Sequence, residues 1–134
     1  MTAKRLSRLR YLQKMIEQDE ELLARLEARL SPGGGIVSTA SGNPNMHNKM
    51  EEIVPRIADL RTQITREKIE YVEELNALKQ FIRTIDDYQL RLIISYHFID
   101  LLTWDQTAAK IGGGNTAAGV KKRCFRFLRE TRKK

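Results

Sequence analysis

Hydrophobic residues recur near the start of the chain at alternating spacings of three and four: Leu9, Leu12, Ile16, Leu23, Leu26 and Leu30, with Asp19 the one polar member. A repeat of about 3.5 residues keeps one stripe of a helix facing a partner, so this is the seam of a coiled coil. The pattern predicts a helix from about Lys4 to Leu30, stopped by Pro32 and the glycines Gly33, Gly34 and Gly35. From Ser31 to about Asn48 the chain is rich in Gly, Ser, Pro and Asn and is expected to form a flexible loop.

A second helix is predicted from about Lys49 to Ile85. Ile53, Ile57, Leu60 and Ile64 make one seam, and Tyr71, Leu75, Leu78, Ile82 and Ile85 another, displaced by a four-residue stutter near Glu67 and Lys68. Pro55 is tolerated in a first helical turn, which would move the start nearer Ile53. If the helices fold back antiparallel the seams match: Leu30 meets Ile53, Leu26 meets Ile57, Leu23 meets Leu60 and Leu12 meets Tyr71, each pair of numbers summing to 83. Asp19 then falls near Ile64, within reach of Arg66 or Lys68, and such a polar layer sets register at some cost in stability. The hairpin would be on the order of 40–50 Å long at ~1.5 Å per residue. Met15, Leu22, Val54, Ile69 and Val72 lie off the seam. They read either as ordinary exposed apolar surface or as a second seam joining two hairpins in a homodimer.

After Asp86–Asp87 the pattern changes to short helices. Leu90, Ile93, Ile94, His97 and Phe98 mark a helix of about ten residues. Thr103 opens the next, with Gln106 completing a capping box, and Trp104, Ala108 and Ile111 form its buried face. Gly112 ends it, Gly113, Gly114 and Asn115 make the turn, and Asn115 or Thr116 caps a third helix. That helix buries Val120, Cys124, Phe127 and Leu128 and leaves Lys121, Lys122, Arg123, Arg126 and Arg129 outside. The fold class expected is all-α: a long antiparallel coiled-coil hairpin (1–86, loop about 31–48) followed by a compact C-terminal helix-turn-helix (87–134).

Composition sharpens this picture through charge. The net charge is +7, yet nine basic residues and a single acid, Glu130, fall within 110–134, leaving 15 basic and 16 acidic residues in 1–109. The whole positive excess therefore sits at one end, where a polyanion is the expected partner. Apolar residues make up 41% and charged residues 31%, which fits amphipathic helices with much exposed surface. Cys124 is the only cysteine, so no intrachain disulfide forms and a cytoplasmic setting is expected. No stretch approaches the roughly 18 apolar residues of a membrane span, and Met1 to Arg10 lacks the apolar block of a signal peptide. No membrane partner is expected.

The segment HFIDLLTWDQTAAKIGGGNTAAGVKKRCFRFL, His97 to Leu128, resembles the sigma-70 region-4-like helix-turn-helix of phage transcriptional regulators of the RinA/ArpU type. The specific signal is the Trp104 helix with the Gly112-to-Thr116 turn and Val120 after it. The likeness extends over nearly the whole chain, although the Leu-rich helices match only in composition. One departure is that Gly112 to Val120 runs about two residues longer than usual. The resemblance implies binding of double-stranded promoter DNA in a phage or prophage, at the nucleoid of a bacterial host, with transcription as the regulated process. It does not imply a complete sigma factor. The hairpin would supply dimerisation or a contact to host RNA polymerase.

Candidate DNA-binding residues are Asn115, Thr116, Ala118, Gly119, Lys121, Lys122, Arg123, Arg126 and Arg129, with Lys122 and Arg126, four apart on one exposed face, foremost. The Ala117-Ala118-Gly119 start limits base reading to an apolar contact with a thymine methyl, so backbone contacts should dominate. Gly119 costs about 1 kcal/mol relative to alanine within a helix, which close approach of DNA or another helix would explain. A packaging or assembly protein of the small-terminase kind is the alternative, with the coiled coil building a ring. A third reading has the basic helix binding an acidic protein surface.

No catalytic, metal or cofactor site is expected. His47 and His97 lack a ligand cluster, and Gly112–Thr116 lacks the G-x-x-x-x-G-K-[ST] spacing of a phosphate loop. Trp104 and Cys124 read as core residues. The acids Glu17, Asp19, Glu20, Glu21, Glu51, Glu52, Glu73 and Glu74 fall at solvated helix positions.

Overall fold

Three-and-four spacing of leucine and isoleucine yields two long helices, and shorter amphipathic runs yield three more. The computed structural model describes residues 1–30 and 44–132, and every regular element among them is helical. These are α1 (Ala3–Leu30), α2 (Pro44–Arg83), α3 (Tyr88–Ile94), α4 (Trp104–Ile111) and α5 (Ala117–Arg132), with a π-helical turn, Ser95–Ile99, continuing α3. The all-α class expected from the pattern is what is found. No helix among the described residues is long and apolar enough to cross a membrane.

The loop expected at Ser31 to Asn48 lies outside the described residues as far as residue 43, but its last part is helical. Pro44 opens α2, a first-turn position that a proline fits because its missing N–H would have no helical acceptor there. Pro55 is consequently inside α2 and not in its first turn. It is exposed, so the carbonyl its ring displaces is accessible to water.

The chain divides into two compact units, Met1–Gln13 with Tyr71–Lys134, and Lys14–Glu70. This differs from the division expected at 86/87. The reason is apolar burial: Leu6 and Leu9 from the start of α1, Leu78 near the end of α2 and Ile85 just after it share one core with Ile93, Phe98, Val120 and Cys124. The short helices are too small to bury their apolar faces on one another alone.

In the second unit Leu26, Ile53, Ile57, Leu60 and Ile64 form the core, with Leu23 and Leu30 packed against it. Glu27 pairs with Arg61 at 2.5 Å and Glu20 with Lys68 at 2.7 Å, so the two helices run in opposite directions here. The polar layer differs from expectation. Asp19 meets Gln63 (Nε2 to Oδ2 3.5 Å), and Gln63 donates to Glu67 at 2.9 Å. Glu67, not a basic residue, occupies the buried seam position, and burial raises its carboxyl above the ordinary range. Lys68 points instead to Glu20 on the exposed flank. Met15, Leu22, Val54, Ile69 and Val72 are all exposed.

In the first unit Asp87 caps α3, its carboxylate accepting from the N–H groups of Gln89 and Leu90 at 2.9 and 3.2 Å. The π-turn is closed by the Asp100 N–H donating to Ser95 O at 3.0 Å, and it carries both His97 and Phe98 into the core. Thr107, fully buried on α4, has a hydroxyl with no hydrogen-bond partner. Valine keeps its shape and removes the unmet polar atom, so Thr107→Val should stabilise the protein by about 1 kcal/mol. Urea unfolding measures it, and a lower midpoint for the variant would contradict the assignment.

Candidate nucleic-acid interface

The site is built on α4, a three-glycine turn and α5. Thr103 begins α4 with a complete capping box: its hydroxyl accepts from Gln106 N at 3.1 Å, and Gln106 Oε1 accepts from Thr103 N at 2.9 Å. Gly112, Gly113 and Gly114 all have positive φ, between 67° and 76°. A side chain is strained in that region, so the run of glycines is what allows the chain to reverse so sharply between two helices.

Asn115 and Thr116 are both consumed by the turn. Asn115 Nδ2 donates to Gly112 O at 2.7 Å, and Thr116 Oγ1 accepts from Gly119 N at 3.0 Å, capping α5. Of the two residues considered for the cap, Thr116 takes it. A Cβ on Gly119 would sit 3.1 Å from the Thr116 hydroxyl. The close approach explaining this glycine within the chain is therefore the cap itself.

Along α5 successive residues turn by about 100°. Val120, Cys124 and Leu128 are buried, which leaves Ala118, Gly119, Lys122, Arg126 and Arg129 on the exposed side. No carboxylate pairs with Lys122, Arg126 or Arg129 among the described residues. Close like charges without counter-charges leave a positive surface that a polyanion can neutralise.

Two candidate residues lie elsewhere. Arg123 is not on the open face: its guanidinium pairs with Asp87 at the start of α3. The backbone N–H of Leu90, and then the charge of Arg123, hold the Asp87 carboxyl below its usual range. This ion pair ties α5 to α3. Lys121 lies on the opposite flank, with Phe125, beside Arg10, His97 and Trp104.

His97 is the residue whose role the sequence left unassigned beyond burial. Its Nδ1–H donates to Leu102 O at 2.7 Å, and its ring stacks on Trp104 with centroids 3.6 Å apart and 17° between planes. Its backbone carbonyl accepts from Arg10 at 3.0 Å. Burial first, then the charges of Arg10 and Lys121, pull its pKa down to about 4. The imidazole is neutral at pH 7, and its stack on Trp104 ties the π-turn to α4. Trp104 packs edge-on to Phe98 and Phe125, as a core anchor would.

Burial pushes the Cys124 thiol up to about 12, so it carries no nucleophile at neutral pH. Among the described residues no group of His, Cys, Asp or Glu is placed to hold a metal. An open cleft of about 510 Å³ in the second unit is bordered by Glu27, Leu30, Val54 and Arg61, where the ion pair already neutralises its charge.

No family model matches the chain, and no curated protein or solved structure gives a significant match.

Proposed function

We propose that the protein binds double-stranded DNA through α5 and acts as a transcriptional regulator of a phage or prophage, in line with the resemblance carried by His97 to Leu128. In this reading α4, the glycine turn and α5 are a helix-turn-helix, and α1 with α2 form an antiparallel coiled-coil arm for dimerisation or for contact with RNA polymerase. The observation that carries it is the exposed face of α5, where Lys122, Arg126 and Arg129 stand without carboxylate partners among the described residues, behind a sharp glycine turn. Such a helix lies in the major groove, its cations reaching phosphates on either side. Asn115 and Thr116 are engaged in the turn and Ala118 and Gly119 are small, so affinity comes mainly from the backbone, and specificity from DNA shape and few base contacts.

The test is competition binding between DNA from the gene's own neighbourhood and random duplex, over a range of salt. Each phosphate contact contributes a slope of roughly −0.9 in log K against log salt. Lys122→Ala/Arg126→Ala should weaken binding about tenfold and flatten the slope by about two contacts. Arg123→Ala should act through stability and leave the slope nearly unchanged. Tight but indiscriminate binding would transfer the reading to DNA packaging. No binding at low salt would overturn it.

A further inference from the structure

A groove runs between the first turns of α1 and the flank of α5, on a side of α5 different from the one that presents Lys122 and Arg126. Phe125 lies in its middle and belongs to two adjoining hollows of about 380 Å³ each. Towards one end Phe125 meets Trp104, ring centroids 5.8 Å apart, with Tyr11 on the α1 side. Towards the other end the floor is Leu128 and Ala3.

The rim is made of cations. Arg10 and Lys121 border the aromatic end, and Lys4, Arg129 and Arg132 border the aliphatic end. Among the described residues no Asp or Glu lines either hollow. None of these five cations pairs with a carboxylate among the described residues. An apolar floor between unopposed positive rims is complementary to one kind of occupant: an amphipathic segment with aromatic or aliphatic side chains on one face and carboxylates beside them. Nucleic acid phosphates would satisfy the rim but leave the half-buried Phe125 and Trp104 uncovered.

From this charge complementarity we infer that the groove is a docking site for an acidic amphipathic helix of a partner protein. The floor is preorganised, since Trp104 is held by its stack on His97 and Leu128 is buried. Little ordering is then needed on binding. The docking flank and the Lys122/Arg126 face share one rigid helix, so a partner can be held while DNA is engaged. Arg129, which borders the groove and also faces outward, is the residue common to both.

The experiment uses the full chain and three fluorescent probes in anisotropy titrations. The first is a 16-residue helical peptide of leucine, phenylalanine and glutamate with its apolar residues at i, i+3, i+4 and i+7. The second is the same composition scrambled, and the third is poly-glutamate of equal charge. The amphipathic peptide should bind at least tenfold more tightly than either control. Tyr11→Ser, at a position 63% exposed, and Lys121→Gln should each weaken it at least threefold with unchanged circular dichroism. Lys122→Ala/Arg126→Ala should leave it within twofold. The peptide should also bind when the protein is saturated with duplex DNA. Equal binding of poly-glutamate or no peptide binding would each overturn the proposal whatever the DNA assay above gives, and where DNA binds, displacement of the peptide by it would overturn the proposal too.

Discussion

Phe98→Ala is expected to cost about 3–5 kcal/mol of stability, a large fraction of what a domain of this size possesses. Phe98 is 2% exposed and lies in the core shared by the start of α1, the end of α2 and the short helices. Its ring packs edge-on to His97, centroids 4.7 Å apart at 82°, and edge-on to Trp104 at 6.2 Å and 86°. Truncation removes the transfer energy of a buried ring and leaves a cavity whose walls collapse only in part. The walls are poorly able to follow, because His97 is fixed by the Leu102 carbonyl and Trp104 by the capped start of α4. Urea unfolding followed by Trp104 fluorescence reads the cost directly, since this is the only tryptophan. A loss under 1 kcal/mol would mean that Phe98 does not organise the core. Phe98→Leu, which retains most of the apolar volume, should lose clearly less.

The long helices were legible because their burial repeats along the chain. The buried set Ile53, Ile57, Leu60 and Ile64 is the seam read from spacing alone, and Leu26 lies in its core. The capping box of Thr103 and Gln106 was legible because it is a local bond between residues three apart. What the sequence misplaced depends on partners distant along the chain. Arg123 belongs to the basic run by position, yet Asp87, 36 residues earlier, draws it to α3. Arg66 or Lys68 was the expected partner of Asp19, but a helix places Lys68 one position off the seam, where Glu20 takes it. Glu67 fills the seam instead, a residue type rarely buried and so not expected there. The compact units divide elsewhere than at 86/87 for a related reason. A leucine seam indicates that a helix buries one face, and it does not say which neighbour covers it at each end.

The stability of the protein should fall as pH drops from about 6.5 toward 4, and His97 should be the cause. Its pKa is about 4 in the folded protein against an ordinary 6.5. A depressed histidine is neutral in the fold but takes up a proton readily when the chain unfolds. The unfolded state therefore binds more protons in this window and gains free energy as pH falls. The contribution is fully present above pH 6.5 and is lost on the way down to pH 4, amounting to about 2 kcal/mol after allowance for solvent screening. Other groups can be separated from it. Glu74, held down by its hydrogen bond from Arg5, and Asp87, held down by the Leu90 N–H, lose their stabilisation only at lower pH, below ordinary carboxylate values. Glu67 works in the opposite sense. Its raised pKa makes folding more favourable as pH falls, so it masks part of the histidine effect. Two variants resolve the sum. His97→Asn retains an N–H able to donate to the Leu102 carbonyl but does not titrate, so it should be less stable at pH 7 and show a nearly flat profile from pH 6.5 to 5. Glu67→Gln can still accept from Gln63, and should steepen the loss on the acid side. Urea midpoints collected at half-unit steps of pH give both slopes, and a His97→Asn profile as steep as that of the unmodified chain would place the acid sensitivity elsewhere.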